Sequence, residues 1–510
     1  MNEYDTLHEL ANAAKRINAT SIKELFVTNS ERLQEFTVSL RGMHVDFSRQ
    51  KLDSETLGLL LNYAEQRKVA KFLAQMAEGE VVNISENLPA GHIKTRQQNN
   101  KSAEPIRQFV ENLHKGIITG SDGRRISHIV HIGIGGSELG PRLVYDALKR
   151  SRGSAIKVRF VANVDAACIN DALSGLDPAS TLVFVVSKSF STAETISNAK
   201  IARDWLNQHL GDNASSKQMY AITANAEKAG DFGIKAKNIF AFENHIGGRF
   251  SLWSSVGLSL AASLGNDNWQ QLLAGARAMD QHLLQTPISR NLPILSALIS
   301  FWNLNFLKTP ARAIVPYAQR LSLLPLWLQQ LIMESNGKSV TSTGKPADLL
   351  AAPVVFGDAG TNAQHAFFQA LHQAPNPVPV DFIGVIKDAE NHPGQSKALL
   401  ANLLAQSIAL MCGKNDQQNP QTNFSGDRPS TTILLDELTP FNLGGLLAFY
   451  EHETVVLAHL CRINPFDQWG VELGKELAVQ MQNRLDGAVT PKYDLATEAM
   501  LKYINKRHDQ

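Results

Sequence analysis

One stretch constrains the fold before any other: residues 127–140, SHIVHIGIGGSELG. An apolar run, Ile129-Val130-His131-Ile132, feeds Gly133-Ile134-Gly135-Gly136-Ser137. A helical pattern, PRLVYDALKR, follows, with Leu143, Tyr145 and Leu148 near one face. Strand, glycine turn and helix in that order are how α/β proteins present backbone N–H groups to an anion. Glycine is needed there because a Cβ holds phosphate or sugar oxygens away from the backbone. Ser137 adds a hydroxyl at the mouth. The same residues also suit a tight turn that holds no ligand.

Two nucleotide motifs come close and fail. G-x-G-x-x-G needs glycine at 138, where Glu138 sets a carboxylate in the place of a pyrophosphate. Gly337-Lys338-Ser339 lacks the first glycine of a Walker loop, because position 332 is Ile.

Past the turn, short apolar runs alternate with helical patterns. Residues 157–164 (KVRFVANV), 181–186 (TLVFVV) and 218–223 (QMYAIT) read as strands. A run that is apolar throughout suits a strand buried on both faces of a parallel sheet. A second set starts at Ala311. It comprises a strand ARAIVPYA, a Leu-rich helix over 323–334, strands over 380–386 and 431–435, and a helix over 443–459. The pattern predicts an α/β protein with two doubly wound domains, mostly parallel central sheets, and ligands at the carboxyl ends of the strands. Residues 1–75, 105–115 and 266–310 predict helices. The polar tail to Gln510 also reads as helical and is expected to cover a partner surface. At 510 residues, two or three domains are expected. The first would hold residues 90–265, and a larger one residues 1–89 with 266–510.

Charge narrows the partners. Charged residues are 19% of the chain and the net charge is +1, so there is no electrostatic reason to expect nucleic acid or an anionic membrane surface. The first residues lack a long apolar core, and no run of about 18 apolar residues occurs, so neither a secretory signal nor a membrane span is expected. Cys168, Cys412 and Cys461 have no C-x-x-C spacing and read as reduced thiols of a cytoplasmic protein.

The strand at 181–186 runs into Ser187-Lys188-Ser189-Phe190-Ser191-Thr192-Ala193-Glu194. Ser191 and Glu194 have capping-box spacing, so a helix should start there. Hydroxyls and fresh helix N–H groups converge, which suits a phosphate dianion; ordinary capping needs only one of those hydroxyls. Arg249, in Gly247-Gly248-Arg249-Phe250-Ser251-Leu252-Trp253, suits either a bound ligand or an interdomain ion pair. Glu334 precedes Asn336-Gly337, a helix stop expected to take left-handed backbone. The dipole at that helix end disfavours a carboxylate's charge, which is useful in a general base. His365 and His372, seven apart in the expected helix over 360–373, share a face but have no carboxylate at ligand spacing, so no metal is expected. A helix starting near Gln468 would put Lys475 on the same face.

Taken together, IGIGGSELGP, SKSFSTAET, GGRFSLWSSVGL, MESNGKS, GTNAQHAFFQALHQ and FDQWGVELGK closely resemble the glucose-6-phosphate isomerase family, in the family's order. The resemblance implies two sugar-isomerase-type (SIS) domains and helical N- and C-terminal extensions. It also implies a homodimer and interconversion of glucose 6-phosphate and fructose 6-phosphate without metal or other cofactor. By that resemblance Ser187, the Lys188 backbone, Ser189 and Thr192 hold phosphate, and Gly136, Ser137, Gln330 and Gln468 line the sugar site. Glu334 would be the base and Arg249 would face the enediolate. Lys475 and His365, the latter from the neighbouring subunit, would flank the ring oxygen. Three positions depart from the family's habit: Ser189 for Thr, Ala363 for Gly, and Leu88 for Arg. The rival readings are a non-catalytic sugar-phosphate sensor on the same scaffold and, from the glycines alone, a nicotinamide-dependent oxidoreductase.

Overall fold

In the computed structural model of the chain, which describes residues 2–97, 103–151, 153–387, 389–390, 392–416, 418–488 and 491–508, the apolar runs form parallel strands. Thr181–Val186 is buried at every position, as a strand covered on both faces must be. It lies mid-sheet among the described residues, in the order Lys157–Val161, His128–Ile132, Thr181–Val186, Met219–Thr223, Ile239–Ala241, with all neighbours parallel. The chain starts at His128–Ile132, steps to one side, then returns past it. The strand order therefore reverses between His128–Ile132 and Thr181–Val186, and crevices that bind ligands open at the carboxyl ends of such a pair.

A second sheet runs Val354–Gly357, Ala311–Tyr317, Val380–Lys387, Ser430–Glu437, all parallel. The doubly wound expectation holds for both sheets. The helical reading of residues 1–75 does not hold throughout. Thr37–Leu40 and Met43–Asp46 form a hairpin that extends the second sheet antiparallel to Ser430–Glu437. Each strand is four residues long, too short for a period to show, and the partner that makes the hairpin a sheet edge lies far along the chain. The edge strand Val354–Gly357 and the short strand Ile239–Ala241 escaped the sequence reading for the same reason.

Helix Pro440–Leu460 is buried almost all round and packs against Asn266–Gln285 and Leu292–Asn305. Pro440 occupies its first turn and Thr439 Oγ1 accepts from Asn442 N at 3.2 Å, a capped start that costs no backbone donor. Its polar run, Glu451-His452-Glu453-Thr454, remains inside because it is paired. Glu451 meets Arg96, His452 meets Asp280, and Glu453 meets Arg312.

The chain divides into the units Met1–Pro465 and Phe466–Gln510. Among the described residues the second contains a 3-10 turn, Trp469–Val471, and the helices Glu472–Leu485 and Leu495–His508. Arg484 pairs with Glu498 at 3.2 Å, and Tyr493 donates to Gln480 at 2.7 Å. No helix among the described residues is long and apolar enough to cross a membrane.

Glycine permits the close crossing of Asn266–Gln285 and Pro440–Leu460. A Cβ on Gly275 would stand 1.8 Å from the Phe441 carbonyl oxygen, whereas one on Gly445 would meet only the Gly275 oxygen at 3.6 Å. Gly275→Ala is therefore expected to destabilise the protein by about 2–3 kcal/mol, the cost of overpacking a rigid core. Gly445→Ala should leave the denaturant midpoint unchanged or raise it.

Candidate active site

Both glycine-turn and hydroxyl-rich stretches emerge where the first sheet reverses its order. After His128–Ile132 the chain makes a 3-10 turn, Gly135–Ser137, with Gly135 at φ +60°. That conformation is cheap only for a residue without a Cβ. Gly136 is constrained differently: a Cβ there would sit 2.1 Å from the Gly248 carbonyl carbon and 2.5 Å from Arg249 N. The turn at 135–137 and the turn Gly248–Phe250 thus lie backbone against backbone. His131, buried in the strand below, holds the turn from beneath through Nε2 to the Ser137 carbonyl at 2.7 Å, with Nδ1 on Ser259 Oγ at 2.9 Å. Burial pushes the imidazole down to about 4. The ring is therefore neutral, donating to the carbonyl and accepting from the hydroxyl.

Glu138 does not lie at the mouth of the turn, as the nucleotide comparison supposed. It is buried and paired with Arg142 Nε at 2.7 Å, and burial raises its carboxyl to about 7.

Arg249 is buried, and each arm of its guanidinium is used. Nε donates to Ser335 Oγ at 2.6 Å, Nη1 to Glu334 Oε1 at 3.2 Å, and Nη2 to the Pro465 carbonyl. Glu334 ends a π-helical segment, Gln329–Glu334, that continues helix Leu324–Leu328. Such wide turns recur at functional sites, and this one brings Gln330 and Glu334 close to one face. The helix stops without the left-handed residue expected at Asn336-Gly337: neither has positive φ. Lys338 Nζ closes the end instead, donating to the carbonyls of Glu334 and Ser335 at 3.1 and 2.7 Å. A side-chain cation satisfies terminal carbonyls as a glycine cap would. Gln330 places its amide over the glycine turn: a Cβ on Gly135 would lie 3.0 Å from Gln330 Nε2. Its Oε1 is buried with no hydrogen-bond partner among the described residues.

The hydroxyl cup forms differently from the expected capping box. Helix Ala193–Leu210 begins after Thr192, which makes no side-chain cap. Ser191 Oγ donates to Ser189 Oγ at 2.8 Å, and the Ser187 and Thr192 hydroxyls share a hydrogen bond of 3.1 Å. The reason is Phe190. Its ring is buried in the core against Phe232 while its backbone sits at φ 49°, which rotates the following serine away from the helix start. The first-turn N–H groups are left without a side-chain cap, the arrangement that receives anions. Lys188 points its ammonium at the carbonyls of Asn244 and Ile246, at 2.8 and 3.1 Å, and burial lowers its pKa. What it can offer the cup is its backbone.

The structure brings Ser187, Ser189, Thr192, Gly136, Ser137, Arg249, Gln330 and Glu334 to one region. A Cβ on Gly133 would touch the Val186 oxygen at 3.1 Å, Gly136 meets Gly248, and Arg249 meets Glu334. His365 is not among these contacts. It is exposed near the end of helix Gly360–Ala366, and no described residue hydrogen-bonds its ring. Gln468 and Lys475 belong to Phe466–Gln510. There the 3-10 turn interrupts the expected continuous helix, so no shared face follows, and Lys475 pairs with Glu472 at 2.8 Å.

The helix over 360–373 is also two: Phe367, at φ −135°, separates Gly360–Ala366 from Phe368–Gln373. The break removes the shared face of His365 and His372. His372 instead bonds Gln406 Oε1 at 2.9 Å, and no metal-holding group of three or more His, Cys, Asp or Glu occurs among the described residues. Ala363, in the usual glycine's place, is fully buried in the second sheet's core. Leu88 lies in a two-residue strand beside Val81–Asn83.

Sequence reasoning missed His131, Ser335 and Lys338. His131 carried a signal, a lone ring nitrogen pair inside an apolar strand; the other two did not stand out within MESNGKS.

A family model described as Phosphoglucose isomerase matches residues 46–501. A glucose-6-phosphate isomerase of Dechloromonas aromatica (strain RCB) is 43% identical over 495 residues, covering 94% of each chain. One from Frankia casuarinae is 41% identical over 527 residues, covering 96% of this chain and 94% of the relative. The crystal structure of a glucose-6-phosphate isomerase from Chlamydia trachomatis D/UW-3/Cx matches with a TM-score of 0.87 at 32% identity, over 98% of both chains. The family model spans most of the chain, and the chain belongs to the phosphoglucose isomerase family.

Proposed function

We propose that this chain is an aldose–ketose isomerase that interconverts glucose 6-phosphate and fructose 6-phosphate by proton transfer through an enediolate. The observation that carries the mechanism is the contact of Glu334 Oε1 with Arg249 Nη1 at 3.2 Å, beside a glycine turn and a hydroxyl cup.

The chemistry assigns the parts. Phosphate enters the cup of Ser187, the Lys188 backbone, Ser189 and Thr192, where neutral donors and a helix N-terminus match a dianion. Gly136, Ser137, Gln330 and Gln468 line the sugar. His365 and Lys475 open the ring, one giving a proton to the ring oxygen and the other accepting from the hydroxyl. Glu334 then takes the proton from C2, and the electron pair moves toward the carbonyl oxygen. The same carboxyl returns the proton to C1, while the O2 hydroxyl gives up its proton and O1 gains one, leaving a hydroxyl at C1 and a ketone at C2. Negative charge that develops on the enediolate oxygens meets Arg249, whose guanidinium stays protonated throughout. A donor placed in advance at such a charge contributes about 3–4 kcal/mol to the transition state.

No step requires a metal or nicotinamide. A sensor needs the cup but has no use for a carboxylate against a buried guanidinium, so the enzyme is the better reading. The exposure of His365 supports a homodimer in which the partner subunit's His365 completes each site. The apolar faces of Phe466–Gln510, with Leu495 at 90% and Met500 at 66% exposure, support a covering surface there. Residues 90–265 would form the first domain, and residues 1–89 with 266–510 the second. The free thiols accord with a cytoplasmic setting.

Glu334→Gln is expected to retain sugar-phosphate binding while isomerisation, in an assay coupled to glucose 6-phosphate oxidation, falls by about 100-fold or more. Turnover near the native level would remove Glu334 from the mechanism. EDTA is expected to leave the rate unchanged; activity restored by added metal would refute the scheme. Dimers reassembled from equal amounts of Glu334→Gln and His365→Ala chains should regain about one quarter of native activity. Half of the dimers then hold one intact site of two, and no recovery would place His365 in its own chain's site.

A further inference from the structure

We propose that Glu451, held by Arg96, is a positioning residue that fixes Arg249 through Trp253. The proposal rests on the role given to Arg249 above. Glu451 lies on the buried helix Pro440–Leu460 and is fully enclosed. Trp253 Nε1 donates to both of its oxygens, at 2.8 and 2.9 Å, and Arg96 Nη1 donates to Oε2 at 2.5 Å. Arg96 is aimed in turn by Asp280, through Nε and Nη2 at 2.9 and 2.8 Å, and its guanidinium lies 4.9 Å from the Trp253 ring centroid. His452 Nε2 meets Asp280 Oδ1, the oxygen that Arg96 Nη2 also takes, at 2.7 Å, and Arg277 donates to the Arg96 carbonyl at 2.7 Å. This cluster is absent from the reaction scheme, yet it keeps two carboxylates and a guanidinium inside the protein. Apolar side chains would fill such a volume at less cost in desolvation.

The link to chemistry runs along four residues. Gly248–Phe250 is a 3-10 turn, and the turns continue: Ser251 N donates to the Gly248 carbonyl at 3.1 Å, Ser254 N to Ser251 at 2.9 Å, and Gly257 N to Ser254 at 3.0 Å. Consecutive turns thus link Arg249 to Trp253. The Phe250 ring, between them, packs on His92 with centroids 4.9 Å apart, so the segment that aims Arg96 also braces this loop. An indole would be buried at position 253 whatever its rotation. The N–H to Glu451, with the Arg96 guanidinium over the ring, sets that rotation, and through the turns between them it steadies the backbone from which Arg249 reaches Glu334.

Trp253→Phe keeps an apolar ring and removes the donor. We expect kcat to fall by about ten- to a hundredfold, the cost of a small misplacement of a reacting group. KM for fructose 6-phosphate should stay within about twofold, because the cup is untouched. Assays run well below the measured Tm of each variant, so that the folded enzyme is what is read. Glu451→Gln should show the same split; if it does not fold, Trp253→Phe alone decides. In an Arg249→Ala background, Trp253→Phe should cost nothing further, since its effect passes through that side chain. A Trp253→Phe enzyme with native kcat, or one whose loss multiplies fully with that of Arg249→Ala, overturns the proposal. Native kcat in Arg249→Ala itself would instead overturn the role given to Arg249.

Discussion

The contact between two turns underlies the site. The Gly248 carbonyl and Arg249 nitrogen fill the space a side chain on Gly136 would take. That approach joins the carboxyl end of the first sheet to the loop carrying Arg249, and Arg249 joins the loop to Glu334 and Ser335 near the second sheet. Residues from strand ends and from helices far apart in the chain are thereby brought to one place. A methyl group at 136 would have to push backbone atoms apart, and packed backbone yields little.

Buried guanidiniums do the holding. Arg249, Arg96 and Arg312 are each enclosed, and each meets at least one carboxylate. An unpaired charge in such surroundings costs several kcal/mol, so each cation dictates where its acidic partners must stand. Helix Pro440–Leu460 supplies two of these partners in opposite directions, Glu451 to Arg96 and Glu453 to Arg312. An Arg–carboxylate fork also fixes orientation better than apolar packing does. At Arg249 that orientation is fixed by Ser335, Glu334 and the Pro465 carbonyl together.

The doubly wound architecture was legible because buried parallel strands must be apolar throughout, as in TLVFVV, and because the strands recur between helical patterns. The glycine turn, the hydroxyl-rich loop and Glu334 were legible as local chemistry. The hairpin Thr37–Leu40/Met43–Asp46 was not, because its strands show no period and its partner is remote. Local rules also failed at Ser191, where a buried Phe190 outweighed a capping box, and at Asn336-Gly337, where Lys338 supplied the cap. The polar run Glu451-His452-Glu453-Thr454 inside an apolar helix signalled buried pairing, but its partners, Arg96, Asp280 and Arg312, lie in other segments of the chain.

By itself the sequence determined the alternation of strands and helices and the places where backbone must approach without a Cβ. Those are properties of single residues and short windows. Tertiary structure alone decided which carboxylate meets which guanidinium, that Lys188 turns its ammonium away from the cup, and that Phe367 breaks the helix between two histidines. Each of those outcomes is set by the cost of burying a charge or a ring against neighbours distant in the chain, and no local pattern contains that term.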